Sequence, residues 1–172
     1  MTAERAPGRD PILSALGAVL EGVTFYDLAQ LAVADTRVKA TFEEFGRQKR
    51  SQLARLEALA GPTARDAATG AGLYPTEVVA RVECYVCGFG VETKAMPATC
   101  PKCGAARYSF EKEIAQAKAW EIAGAASRKT ASLFRDVARG REGPVRSLLE
   151  ELIVEEDGIA QNADRHAAEL RT

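Results

Sequence analysis

All four cysteines of the chain lie in one stretch, residues 82–110, VECYVCGFGVETKAMPATCPKCGAARYSF. Cys84, Cys87, Cys100 and Cys103 form two Cys-x-x-Cys pairs with twelve residues between them. A Cys-x-x-Cys turn aims two sulfurs at one centre. The glycine that follows each pair, Gly88 and Gly104, lets the chain turn back with φ > 0, so that backbone N–H groups face the sulfurs. Two such knuckles opposed make a closed tetrahedral tetrathiolate, suited to zinc or a single iron and leaving no open position for a substrate. The competing use of the thiols is a pair of disulfides. Nothing in the sequence marks it as exported, so metal binding by the four cysteines is the expectation.

Aromatic residues crowd these thiols: Tyr85, Phe89, Tyr108 and Phe110. A small metal module has little core of its own, so these rings are expected to supply it and to keep water from the sulfurs. Lys94, Lys102 and Arg107 flank the knuckles as a docking rim or as solubilising charges. The segment resembles a rubredoxin domain of the rubrerythrin type. The resemblance rests on Tyr85 beside the first cysteine, Cys84-x-x-Cys87-Gly88, Pro97-x-x-Cys100-Pro101-x-Cys103-Gly104 and Phe110. It implies an iron centre passing one electron at a time, served by a reductase or an acceptor protein. Zinc ribbons share the same knuckles, so the spacing leaves a structural zinc site, on a binding or assembly protein, as the alternative.

The elements that must carry this module are helical. Asp10-Pro11 is a helix start, and Ile12, Leu16, Val19, Leu20, Val23 and Tyr26 recur at helical spacing to about Val33. After a break at Ala34-Asp35-Thr36, Val38, Phe42, Phe45, Leu53, Leu56 and Leu59 give a second helix an apolar stripe to about Ala60. Residues 61–76 read as a linker, and Val78–Val82 as an edge strand. A third helix is expected from Ser109 to Arg139, carrying Ile114, Trp120, Ile122, Leu133, Phe134 and Val137. A fourth starts at Gly143-Pro144, is lined by Val145, Leu148, Leu149, Leu152, Ile153 and Ile159, and fades near Leu170.

The chain repeats itself. Residues 38–45, VKATFEEF, match residues 145–152, VRSLLEEL, each opening the second helix of a hairpin. Phe25-Tyr26 matches Leu133-Phe134 in the same way. Two like hairpins joined by a long crossover predict a mainly α protein, a ferritin-like four-helix bundle with a small β, metal-knuckle domain inserted between its second and third helices. The expected domains are 10–60 and 111–171 for the hairpins and 77–110 for the rubredoxin-like insertion.

Ferritin-like di-iron proteins need an inward Glu from each of two helices and a Glu-x-x-His from each of the others. This chain has one histidine, His166, and no Glu-x-x-His. The resemblance places the motif at Lys49-x-x-Gln52 and at Glu156-x-x-Ile159. Glu21 survives on the first helix, while its counterpart near Arg128-Lys129 is basic. A peroxide-reducing di-iron centre is therefore not expected, and no catalytic residue is assigned. Lys49 and Glu156 are expected to meet as an internal ion pair with Glu21 and Arg128 nearby, because a buried charge left unpaired is costly. Otherwise Lys49 and Gln52 would snorkel to water from the stripe's edge. His166, near the end of the last helix, is expected on its exposed surface, and Tyr26 and Trp120 in the packing. Glu43-Glu44 and Glu155-Glu156-Asp157 read as solvated acidic faces, with only Glu156 inward.

Composition bounds the rest. The 172 residues are 47% hydrophobic and 27% charged, with 23 basic and 24 acidic residues and a net charge of −1. That balance gives no electrostatic case for nucleic acid or a membrane surface. No apolar run is expected to approach membrane length, and the polar opening MTAERAPGRD with the clustered cysteines leads to an expectation of the reducing cytoplasm. Ferritin-like bundles often dimerise, so a second copy is an expected partner.

Overall fold

The computed structural model describes residues 10–33, 35–75, 80–93, 97–106, 110–114 and 116–170. Four long helices make the bundle: α1 Pro11–Ala32, α2 Thr36–Ala60, α4 Gln116–Ala138 and α5 Gly143–Glu169. A short helix α3, Ala64–Ala67, follows α2, and the strands β1 Ala80–Cys84, β2 Gly90–Thr93 and β3 Phe110–Ile114 lie between α3 and α4. The protein is thus mainly α, with one small sheet in the middle of its sequence.

Local chemistry sets the helix starts. The Asp10 carboxylate accepts from the Ile12 N–H at 3.0 Å, and Pro11 occupies the first turn. The Asp35 carboxylate accepts from the N–H groups of Arg37 and Val38 at 2.8 and 3.1 Å, which ends the break and starts α2. Gly140 and Gly143, with φ of 73° and 68°, turn the chain from α4 into α5. Ion pairs run in opposite order along the second hairpin, as antiparallel neighbours require. Arg128–Asp164 and Arg135–Asp157 both close at 2.6 Å on α4 and α5, and Asp27–Arg50 joins α1 to α2. α1 also lies against α4, and α2 against α5.

The apolar stripes fill two clusters. One holds Phe25, Tyr26, Phe42, Phe45, Trp120 and Ile159; the other holds Leu16, Leu53, Leu56, Phe134, Leu149 and Leu152. Between them along α2, α4 and α5 lies a transverse polar layer. Among the described residues it collects the buried polar side chains Lys49, Gln52, Ser127, Thr130 and Glu156.

Three expectations need correction. Residues 61–75 are more than a linker. Gly17 lets the Thr69 carbonyl approach so closely that an added Cβ would lie 2.0 Å from its oxygen. The Glu21 carboxylate accepts from the N–H groups of Gly72, Leu73 and Tyr74 at 2.8, 2.9 and 3.3 Å, and Tyr74 is only 4% exposed. Glu21 therefore pins the crossover and does not face the interior.

The second correction concerns the start of the third long helix. Residues 110–114 pair antiparallel with all of β1, in a sheet of order β2-β1-β3, so Ile114 is a strand residue and α4 begins at Gln116. Backbone pairing with a strand distant in sequence overrides the local helical pattern. The expected strand at Val78–Val82 is found as β1, shifted to Ala80–Cys84; residues 76–79 lie outside the described part.

The third concerns α1. Pro11–Gln30 spans 20 residues with mean hydropathy 1.4, long and apolar enough by those measures to cross a membrane. It is apolar on all sides because α2, α4 and the crossover pack around it, and 56% of that stretch is buried.

Gly17→Ala is expected to lower stability by about 1–3 kcal/mol in urea unfolding, since the obstacle is backbone that must move. Gly158→Ala, in the exposed interior of α5 with open space around it, is expected to raise stability by about 0.5–1 kcal/mol.

Candidate metal centre and the bundle interior

The two knuckles are built alike. In the first, the Gly88 N–H donates to the Cys84 carbonyl at 2.9 Å and the Cys84 N–H donates to the Phe89 carbonyl at 2.9 Å. In the second, the Gly104 N–H donates to the Cys100 carbonyl at 2.8 Å and the Cys100 N–H to the Ala105 carbonyl at 2.9 Å. Gly88 and Gly104 have φ of 70° and 76°, a conformation that strains any side chain. β1 delivers Cys84 at its end, and a bridge between Thr99 and Ala106 closes the base of the second turn.

The result is that the ligand atoms of all four cysteines lie within 4.8 Å of one another. Cys84 and Cys103 sulfurs are 3.8 Å apart, and Cys87 and Cys100 sulfurs 3.6 Å. A tetrahedral centre with metal–sulfur bonds of about 2.3 Å has an edge of about 3.8 Å, so the sulfurs already stand at tetrathiolate spacing. None of them forms a disulfide. Cys84 and Cys100 are buried against Val82, while Cys87 is half-buried and Cys103 exposed.

Residues 83–111 match the family model for the rubredoxin-like domain of rubrerythrin. The match covers the metal module and none of the helices. No characterised protein and no solved structure was found to match the chain. The segment is thus a rubredoxin-like domain carrying a four-cysteine cluster fit to hold one metal ion.

The surroundings of the sulfurs differ in part from expectation. Phe89 packs, half-buried, against the cluster, but Tyr85 is 69% and Val86 67% exposed. Lys102 is exposed; Lys94, Arg107 and Tyr108 lie outside the described residues, as does the side chain of Phe110. Burial alone would push the Cys100 thiol up, but the backbone N–H groups of Cys103 and Lys102 and the facing sulfurs bring it down to about 7. The Ala105 N–H favours the Cys103 thiolate, yet burial and the three neighbouring sulfurs push that thiol up to about 12.

In the bundle interior the positions at which the resemblance placed di-iron ligands hold other chemistry. Lys49 Nζ donates to Glu156 Oε1 at 2.5 Å, and both side chains are fully buried. The repeat explains the meeting: Val38 matches Val145, an offset of 107 residues, and Lys49 and Glu156 are themselves 107 apart. Equivalent positions of the two hairpins therefore face each other across the axis. The alternative of lysine reaching out to water is excluded by its burial.

Gln52 is also fully buried and donates to Glu155 Oε2 at 3.2 Å. Ile159 packs in the apolar cluster. Arg128 does not join the pair; it reaches Asp164 at the surface. The acidic run is not simply a solvated face. Glu155 takes Arg55 with both oxygens at 2.6 and 2.7 Å, Glu156 takes Lys49, and Asp157 takes Arg135.

Sequence reasoning missed Tyr74, Ser127 and Thr130. Tyr74 sits in a segment whose composition reads as a linker, and hydroxyl residues on an apolar face carry no periodic signal. Gly22 on α1 makes room for Lys49 and Tyr74: a Cβ there would meet Lys49 Cε at 3.0 Å and the Tyr74 hydroxyl at 3.1 Å. Tyr26 packs against Phe25, Phe42, Phe45 and Tyr74. Burial pushes the Tyr26 and Tyr74 phenols well up, so both stay protonated. His166 also departs from expectation. Its side chain is 35% exposed and its ring stacks on Trp120, with centroids 4.5 Å apart and planes at 17°.

Lys49→Met strands a buried carboxylate and is expected to cost about 3–5 kcal/mol in denaturant unfolding. The double variant Lys49→Met/Glu156→Leu removes both charges and is expected to recover the parent stability or exceed it. A single change costing no more than the double would show that the two charges do not depend on each other.

Metal loading displaces thiol protons, so zinc affinity measured by chelator competition is expected to rise with pH and to fall away below about 7, where Cys100 gains its proton. Affinity that stays flat across that pH would contradict this.

Proposed function

We propose that the protein transfers single electrons through a mononuclear iron held by Cys84, Cys87, Cys100 and Cys103, on a ferritin-like bundle that has given up its di-iron centre. The observation that carries this reading is the tetrathiolate spacing of those sulfurs inside a segment matching a rubredoxin-like domain. Iron in such a cage supplies a one-electron couple without gain or loss of a ligand.

The chain's own residues do the rest. The four thiolates fix the coordination number. In the second knuckle the backbone N–H groups of Lys102 and Cys103 favour the Cys100 thiolate and that of Ala105 the Cys103 thiolate. Val82 and Phe89 exclude water from the inner side. Cys103 is exposed in the second knuckle, and in the first, Tyr85 and Val86 between Cys84 and Cys87 are large side chains left 69% and 67% exposed. An apolar patch beside an accessible ligand suits brief docking of a redox protein, donor or acceptor. A second copy of the chain is a further candidate acceptor. Free thiols of this kind suit the cytoplasm.

The di-iron chemistry of peroxide reduction has no support in the helices. Three of the four Glu-x-x-His positions hold Lys49, Gln52 and Ile159, and Glu156 is engaged by Lys49.

The deciding experiment is metal analysis with visible spectroscopy on protein from cells grown with added iron. Red protein with one iron per chain, bleached by dithionite, supports electron transfer. Colourless protein with one zinc per chain overturns it and leaves a structural ribbon for binding or assembly. On the iron form, Val86→Asp is expected to slow reduction by a partner reductase several-fold without changing the visible spectrum. An unchanged rate would remove the docking patch from the reading.

A further inference from the structure

A groove of about 420 Å³ runs between α1 and the crossover. Leu20, Glu21, Phe25 and Leu28 line it from α1, and Gly70 and Tyr74 from the crossover. The Phe25 and Tyr74 rings stand with centroids 5.2 Å apart, and Leu28 is left 53% exposed. Among the described residues the lining holds one charged side chain, Glu21. Glu21 Oε1 accepts one N–H, from Gly72, while Oε2 accepts two, from Leu73 and Tyr74. A carboxylate oxygen has two lone pairs, so Oε1 keeps one free. Gly70 leaves that same oxygen uncovered: a Cβ there would lie 2.7 Å from it. Among the described residues no lysine or arginine pairs with Glu21.

We infer that this groove is a binding site for a small amphipathic organic cation. Its ammonium would donate to Glu21 Oε1, and its apolar body would lie against Leu20, Phe25, Leu28 and Tyr74. The lining selects that class. A groove walled by aromatic and aliphatic side chains with one placed polar group is how small-molecule sites are built, and its volume falls in their range of about 300–1,000 Å³. The charge selects the sign. An anion would face the Glu21 carboxylate with no cation in the lining to offset it. A metal ion would find a single carboxylate where it needs several oxygen ligands. An ammonium supplies the missing donor and the missing positive charge together, as a charge-assisted hydrogen bond. The groove is too small for a protein partner. Ten residues line it, whereas each side of a stable protein interface brings roughly 20–30. The site does not depend on which metal the four cysteines hold.

Titration of the full chain with phenethylammonium, followed by nuclear magnetic resonance, tests this. Phenethyl alcohol, which lacks the charge, and phenylacetate, which reverses it, are the controls. Expected are saturable shifts at Leu20, Phe25, Leu28 and Tyr74 with the ammonium, and binding of both controls weaker by about tenfold or more. Glu21→Gln keeps the shape of the side chain, removes its charge and is expected to weaken phenethylammonium by a similar factor. Because Glu21 also holds the crossover, Leu28→Lys gives a second reading at an exposed position. It places a competing ammonium at the groove and is expected to abolish the shifts at Leu20, Phe25 and Tyr74. No saturable shift at the groove residues, equal binding of the alcohol, or a Leu28→Lys chain that binds as tightly as the parent overturns the proposal.

Discussion

A lysine and a glutamate cannot be taken out of water separately. The Lys49–Glu156 pair therefore ties the two halves of this protein together more tightly than any apolar contact specifies. Lys49 comes from the first hairpin and Glu156 from the second, and both are fully buried. A slip of either helix by one turn would separate two buried charges that, among the described residues, form an ion pair only with each other. Apolar clusters on both sides tolerate small adjustments, whereas the pair does not. The polar layer thus sets the register, and the clusters supply the driving force.

The same layer explains why the crossover is ordered. Tyr74 reaches the interior from a segment that runs along α1, and its hydroxyl lies beside Lys49 over Gly22. Glu21 holds that segment from the other side through three backbone N–H groups. The carboxylate that the resemblance offered as a metal ligand on the first helix is instead a clamp for the crossover.

The metal module obeys a different constraint. Its described core is little more than Val82, Phe89, Ala105 and the sulfurs themselves. Such a core does not hold a fold without a metal or another staple. The bundle, with its two apolar clusters, does not share that dependence. The module's sulfur cage and the bundle's ion pair are two separate solutions to burying polar groups, one by coordination and one by pairing.

The cysteine spacing, the paired glycines and the internal repeat determined the metal cage and the two-hairpin plan from the sequence alone, because each is a local pattern with one dominant geometric outcome. The repeat even carried the Lys49–Glu156 meeting, since equal offsets along like helices bring like positions together. Only the tertiary structure decided the rest. Residues 110–114 became strand because β1 was there to pair with them. Glu21 turned outward because the crossover offered it N–H groups. Tyr74 became interior, and His166 found the face of Trp120. Each of these depends on a partner far away in the chain, and no local pattern of residue types records where such a partner will stand.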